Sequence, residues 1–297
     1  MTQLSASKKE SKSSPAWILC RGITILLISG LAGATLVRLA PGFGTDERAL
    51  DPRLSAQSLE TIEHEHSSER NPVTFYIHFL VGMLRGDAGR SVVFAQPVAN
   101  LIGERAPRTL QTVTAGLAYG WSAAVLLVMA ATLSRRVSTM FAAMAVSGTL
   151  LSIPSAVLAA VCLLLRLSPA IAIAAVVFPR IFPNAYELLK VSLTLPHVVT
   201  ARARGVPATR LFLFHVVPSA FMPLIALTAV SVTLAFGASI PVEALADSPG
   251  VGQLAWQAAL GRDVPVLVTV TLLLTAITVV VNLTADLVMA PLGRHTA

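Results

Sequence analysis

Long apolar runs separated by polar segments fill this chain from residue 17 to residue 289. A hydrocarbon layer about 30 Å thick takes roughly 20 helical residues at about 1.5 Å each. Six runs reach that length: 17–37, about 109–133, about 140–165, about 169–193, about 216–240 and about 264–289. The pattern predicts an all-α membrane protein with six transmembrane helices. The fourth run is the weakest, and Arg180 falls inside it, facing either a pathway or a partner helix. Gly116 and Gly120 form a GxxxG spacing in the second run, which suits close helix packing. The first run follows Lys8, Lys9 and Lys12 and contains Ala32-Gly33-Ala34, features of a cleaved leader. Its length favours a retained anchor.

The polar segments divide the rest. Residues 1–16 form a tail, and 41–107 form a long segment of mixed charge after the anchor. Its part 45–71 is rich in Glu and Ser, while the stretch around 75–85 is apolar enough for a helix lying on the membrane. The lysines of the tail, Arg135 and Arg136, then Arg202, Arg204 and Arg210, and finally Arg294 fall in alternate segments. By the positive-inside rule these are cytoplasmic, which puts both termini inside and 41–107 outside. The opposite side has Arg166 in a tiny turn and Arg262 beside Asp263.

Composition supports this reading. Charged residues make up 12% of the chain and apolar residues 55%, with a mean hydropathy of +0.74. A soluble domain carries about 25% charged residues. The net charge of +7 sits between apolar runs, so it speaks for membrane orientation and against nucleic acid. Cys20 and Cys162 lie far apart in apolar runs and have no redox or metal spacing.

Candidate chemistry is sparse. No phosphate-binding G-x-x-x-x-G-K-[ST] loop, HExxH or GxSxG occurs, so no catalytic residue and no cofactor is expected. Glu63-His64-Glu65-His66 invites a metal reading, but His-x-His in a polar loop is more simply solvated, and no metal site is expected. Asp286 lies near the inner end of the sixth run, where a structural hydrogen bond is favoured over a pathway or gate role. Glu243, Arg262 and Asp263 are expected to stabilise an outer gate loop or contact a solute.

One polar segment carries more information. Residues 196–215 read as a short helix, a glycine turn and a second short helix. Gly205 is free to take a positive φ and end the first helix. Ala201 and Ala203 would let a partner approach, and Arg202, Arg204 and Arg210 would pair with its acidic groups. Pro218 and Pro223 open the fifth run. From residue chemistry alone, a basic inter-helix loop obeying the charge rule fits equally well.

The run Thr200-Ala201-Arg202-Ala203-Arg204-Gly205, with His215-Val216-Val217-Pro218-Ser219-Ala220 after it, resembles the coupling signature of ABC transporter permeases. It is most similar to the dipeptide/oligopeptide/nickel branch. Further likenesses follow the same order: Pro41-Gly42, Arg85-Gly86-Asp87-Ala88-Gly89-Arg90-Ser91, and Pro97-Val98 through Pro107-Arg108-Thr109-Leu110. Then come Glu243 with Ser248-Pro249-Gly250-Val251-Gly252, Arg262-Asp263-Val264-Pro265, and Asn282-Leu283 with Asp286. The resemblance implies a type I ABC importer transmembrane domain over 95–290 in a bacterial inner membrane. It also implies two separate ATPase subunits, a second and non-identical permease, and an extracytoplasmic solute-binding protein. Thr200 to Gly205, His215 and Pro218 would carry the coupling. The chain departs from the branch at Phe43, at Pro196-His197 and Val199, in the shrunken turn Arg166-Leu167-Ser168-Pro169, and at its closing residues. These departures put the solute in question, nickel included. An ion-gradient-driven secondary transporter would need several buried carboxylates, and only Asp286 and Glu187 qualify. A membrane enzyme would need clustered Asp, His or Ser near one face.

Overall fold

The structure is a computed structural model that describes residues 15–39, 72–134 and 137–292. Among these residues the regular structure is helical, apart from one isolated β-bridge between Arg90 and Pro97. The helices are α1 (Pro15–Leu39), α2 (Pro72–Leu84), α3 (Val98–Ser134), α4 (Val137–Ser152), α5 (Ser155–Leu164) and α6 (Pro169–Ser192). There follow α7 (Pro196–Ala203), α8 (Ala208–Leu211), α9 (Val217–Ser219), α10 (Phe221–Leu245), α11 (Val251–Leu260) and α12 (Val264–Leu292). Among the described residues four stretches are long and apolar enough to cross a bilayer: Val98–Ala130, Pro169–Ser192, Phe221–Leu245 and Val264–Met289. The α4–α5 pair makes a fifth crossing if it counts as one span, and in α1 the apolar stretch Cys20–Gly33 is shorter.

Close contacts set the directions of the helices. A Cβ on Gly116 of α3 would lie 2.7 Å from Ile173 and 2.9 Å from the Ala170 carbonyl. A Cβ on Gly120 would meet Ala174 and Phe178. The contacts advance together, so α3 and α6 run parallel. Against α12 they descend: Gly22 faces Val279, Gly30 faces Leu272 and Gly33 faces Thr271, so α1 is antiparallel to α12. Thr109 near the start of α3 bonds Glu243 near the end of α10, so this pair is also antiparallel. One face of the bundle therefore holds Val98, Pro169, Leu245 and Val264. The other holds Pro15, Ser192, Phe221 and Leu292. The α4–α5 pair starts on the second face and ends on the first, so it carries the chain across.

That pair is where the structure departs most from the pattern. The third apolar run was expected as one helix, but Met140–Ser152 and Ser155–Leu164 meet at 103°. Pro154 is the cause, because it has no N–H to donate and disfavours helical geometry at Ile153. The tiny turn after α5 holds Arg166 at φ 53°, and Ser168 caps α6 by accepting from the Ala170 N–H, with Pro169 in the first turn. The second run begins earlier than its apolar part, because α3 extends back to Val98 through the polar residues Glu104, Arg105 and Arg108.

The core centres on α6. Ile173, Val177, Ile181, Ala185 and Leu189 are buried against α3 and α10, and Phe178 stacks on Phe182 with centroids 5.7 Å apart. The opposite face of α6 exposes Arg180, Asn184 and Glu187. A helix whose apolar stripe is buried in protein needs less apolar surface elsewhere, which explains why this run reads as weak. On α2, Tyr76 and Phe79 pack on Val264, Val268 and Leu272 of α12, while Ile77, Val81 and Met83 stay exposed. A helix was expected around 75–85, and α2 spans Pro72–Leu84. Residues 45–71 with His64 and His66, together with Arg135, Arg136 and Arg294, lie outside the described residues.

Candidate functional site

The segment between α6 and α10 forms an elbow on the same face as the described ends of α1 and α12. Pro196 opens α7, where Thr200 Oγ1 donates back to the Pro196 carbonyl at 2.8 Å. The helix ends at Arg204, and Gly205 follows at φ +80°. The Gly205 N–H donates to the Arg202 carbonyl at 3.0 Å, and the Val206 N–H reaches the Ala201 carbonyl at 3.3 Å. These two bonds form a Schellman closure, which needs a left-handed residue where Gly205 stands. Nothing lies within 4 Å of where a Gly205 Cβ would be, so only the backbone conformation selects glycine there.

The return leg widens. After α8 the backbone makes a π turn over Phe212–Val216, with the Val217 N–H donating to the Phe212 carbonyl. Pro218 offers no N–H to the preceding turn and its ring crowds the Phe214 carbonyl, which favours a wider turn. At the base, Ser219 Oγ donates to the His215 carbonyl at 2.6 Å, and His197 Nε2 lies 2.9 Å from Ser219 Oγ. The single hydroxyl proton is committed to the carbonyl, so His197 donates from Nε2. Val198, Leu211, Phe212 and Val216 are buried beneath the elbow.

Ala201 was expected on the elbow's contact surface, but it is buried in the same apolar cluster that Val206 packs against. The Schellman closure accounts for this, because it turns that position toward the residue after the glycine. Thr200, Arg202, Ala203, Arg204 and Arg210 are exposed, His215 is half-buried and Pro218 is exposed. Pro218 belongs to α9, and the fifth long helix starts three residues later at Phe221.

The opposite face carries two buried polar clasps. Glu243 is fully buried near the end of α10. Its Oε2 accepts from Thr109 Oγ1 at 3.0 Å and from the Gly252 N–H at 2.8 Å. Thr109 Oγ1 in turn accepts from the Val251 N–H at 2.7 Å, so a carboxylate and a hydroxyl together cap the start of α11. A Cβ on Gly250 would collide with the Glu243 carboxylate, and one on Gly252 would come within 2.6 Å of the Ser239 carbonyl. The second clasp is Asp263, also fully buried. Ser91 Oγ and the Val93 N–H donate to its Oδ2, and Oδ1 accepts from the Val266 N–H at the start of α12. Arg262 is exposed, with φ 53°, in the turn that delivers Asp263. Arg105 bonds Gln253 at 2.8 Å beside the first clasp.

These clasps join motifs that lie far apart in the chain. The serine closing Arg85–Ser91 holds the aspartate of Arg262–Pro265, and the threonine of Pro107–Leu110 holds Glu243. Glu243 and Asp263 stand out in the sequence, but nothing in it marks Thr109 and Ser91 as their partners. Asp286 is exposed near the end of α12 and takes no part in either clasp. Among the described residues no group of His, Cys, Asp and Glu could hold a metal ion. The arrangement places an exposed elbow on one face and a pinned loop on the other.

Residues 116–297 match the family described as binding-protein-dependent transport system inner membrane component. A Brucella abortus protein named as a peptide transport system permease is 26% identical over 296 residues, covering 90% of this chain and 93% of the relative. A Sinorhizobium fredii protein named as a peptide ABC transporter permease is 25% identical over 298 residues, covering 89% and 93%. The dipeptide transport system permease protein DppB of Haemophilus influenzae is 32% identical over 102 residues, 33% of this chain and 31% of the relative.

Proposed function

The chain belongs to the family of binding-protein-dependent transport system inner membrane components, and on that premise we propose that it forms half of the pathway of an ATP-driven peptide importer. Peptide is the solute class in the names of the full-length relatives. The energy comes from two separate ATPase subunits that dock on the elbow. A second, non-identical permease completes the pathway, and an extracytoplasmic binding protein delivers the solute. The chain sits in the bacterial inner membrane with both termini cytoplasmic, so the elbow's face is the cytoplasmic one. The basic residues Arg202, Arg204 and Arg210 on that elbow agree with this orientation.

The observation that carries this reading is the Schellman-closed turn at Gly205, which stands clear of the bundle with Arg202, Ala203 and Arg204 exposed beside it. ATP binding closes the ATPase dimer and displaces the docked elbow. The elbow is covalently continuous with α6 and α10 and packed beneath by Val198 and Val216, so its displacement moves those helices. Two states of the bundle are thereby coupled to two states of the ATPases. At the outer face the clasps at Glu243 and Asp263, with Arg262 beside the second, hold the loop through which solute enters. The chain transmits force and performs no chemistry.

The test is replacement of Gly205 by valine. A β-branched residue at φ +80° is strained, so the turn opens. The expected result is loss of ATPase co-purification and of peptide uptake with the protein still in the membrane. Normal values for both would remove the elbow as the docking element.

A further inference from the structure

Arg180 stands halfway along α6, about 18 Å from Ser192 at about 1.5 Å per residue. Its guanidinium has no hydrogen-bond or ion-pair partner among the described residues, and its side chain is exposed. Arg180, Asn184 and Glu187 follow the spacing of one helix face, and Glu187 pairs with Lys190 at 3.7 Å. This polar stripe runs from mid-depth to the elbow. A permanent cation at that depth is not stable against lipid. Pro179 and Pro183 lie on the same helix, and each removes a backbone donor at this level.

A separate feature meets the stripe. Arg180 lines a recess of about 140 Å³ with Leu150, Ile153, Leu158 and Leu234. This recess lies at the 103° break between α4 and α5. Broken helices at membrane depth occur where the backbone is buried in protein or borders water. The unpaired cation beside this break favours water over protein there.

We propose that this face of α6 lines the inner half of the solute pathway, and that Arg180 receives a carboxylate of the passing solute. A guanidinium fork matches a carboxylate with two parallel hydrogen bonds. A peptide with a free C-terminus presents that group, so the proposal rests on the peptide reading above. A carboxylate from the partner permease has the same chemistry and is the outcome the test must separate.

The test uses the complete complex in proteoliposomes, with Cys20 and Cys162 replaced by alanine. Arg180→Cys and Asn184→Cys are exposed to a water-soluble trimethylammonium methanethiosulfonate, and both are expected to react. In the otherwise unaltered protein, Arg180→Gln is expected to lower dialanine uptake at least tenfold while the partner permease and ATPases stay bound. Excess dialanine should compete with labelled dialanine better than dialanine amide does, and Arg180→Gln should abolish that preference in the remaining uptake. Unreactive cysteines at both positions overturn the proposal, as does wild-type uptake with the preference intact in Arg180→Gln. Release of the partner permease by Arg180→Gln assigns the carboxylate to that subunit and also overturns it. If both cysteines react but the unaltered protein takes up no dipeptide, the peptide reading fails and the water-lined stripe stands.

Discussion

Asp263 shows how much one buried carboxylate can hold. It accepts from a serine hydroxyl and from two backbone N–H groups on separate segments, and water does not reach it. Removing it strands a hydroxyl and two backbone N–H groups, each at a cost of about 1–3 kcal/mol, whereas losing the serine takes one donor of three from the carboxylate, about 1.5–3 kcal/mol. Asp263→Ala should therefore lower the unfolding midpoint in detergent far more than Ser91→Ala. The double variant should be little worse than Asp263→Ala alone, because the two side chains share one interaction. Equal effects of the two single variants would show that the clasp is incidental. Gly205 is the contrasting case. Alanine there meets open space and bears only the left-handed strain of about 1–2 kcal/mol. Gly205→Ala should leave the folded chain in the membrane and weaken ATPase co-purification less than valine does.

Among the elements, α3 and α6 depend on two glycines that are not equivalent. A Cβ at Gly116 would sit 2.7 Å from Ile173 and 2.9 Å from a backbone oxygen, while one at Gly120 has its nearest neighbour at 3.6 Å. Gly116→Ala should destabilise the bundle by roughly 1–3 kcal/mol through overpacking. Gly120→Ala, in ordinary van der Waals contact, should stay within about 0.5 kcal/mol. Thermal unfolding of both variants in detergent checks the order, and a larger effect at Gly120 would mean the helices are packed in another register. The GxxxG spacing marks both positions equally, so only the packed pair of helices tells them apart. The third crossing makes a similar point: apolar length alone reads as one helix, and Pro154 turns it into two.

Across the whole molecule, helix directions place the elbow and the two clasps on opposite faces. With the elbow cytoplasmic, reporters fused at Thr61 and at Ala297 should read outside and inside respectively. An outward reading at Ala297 would contradict the charge rule, and the same reading at both sites would contradict the antiparallel packing of α1 on α12. The division also explains why the faces differ in character. The elbow stands off the bundle with arginines exposed, as a surface awaiting a partner does. The clasps are buried and almost fully bonded, as a loop that must hold its shape against water does.

The helical membrane class, the location of most crossings and the elbow with its glycine were all legible in the sequence. They follow from local or one-dimensional rules: apolar length, charge bias and the conformational freedom of a residue without a Cβ. Glu243 and Asp263 stood out because carboxylates beside apolar runs are rare. Their partners Thr109 and Ser91, the inward turn of Ala201, the Ser219 proton that makes His197 a donor, and the position of Arg180 beside a broken helix came only from the fold. Each of these depends on distance between residues far apart in the chain or on which way a helix is rotated, and linear spacing carries neither.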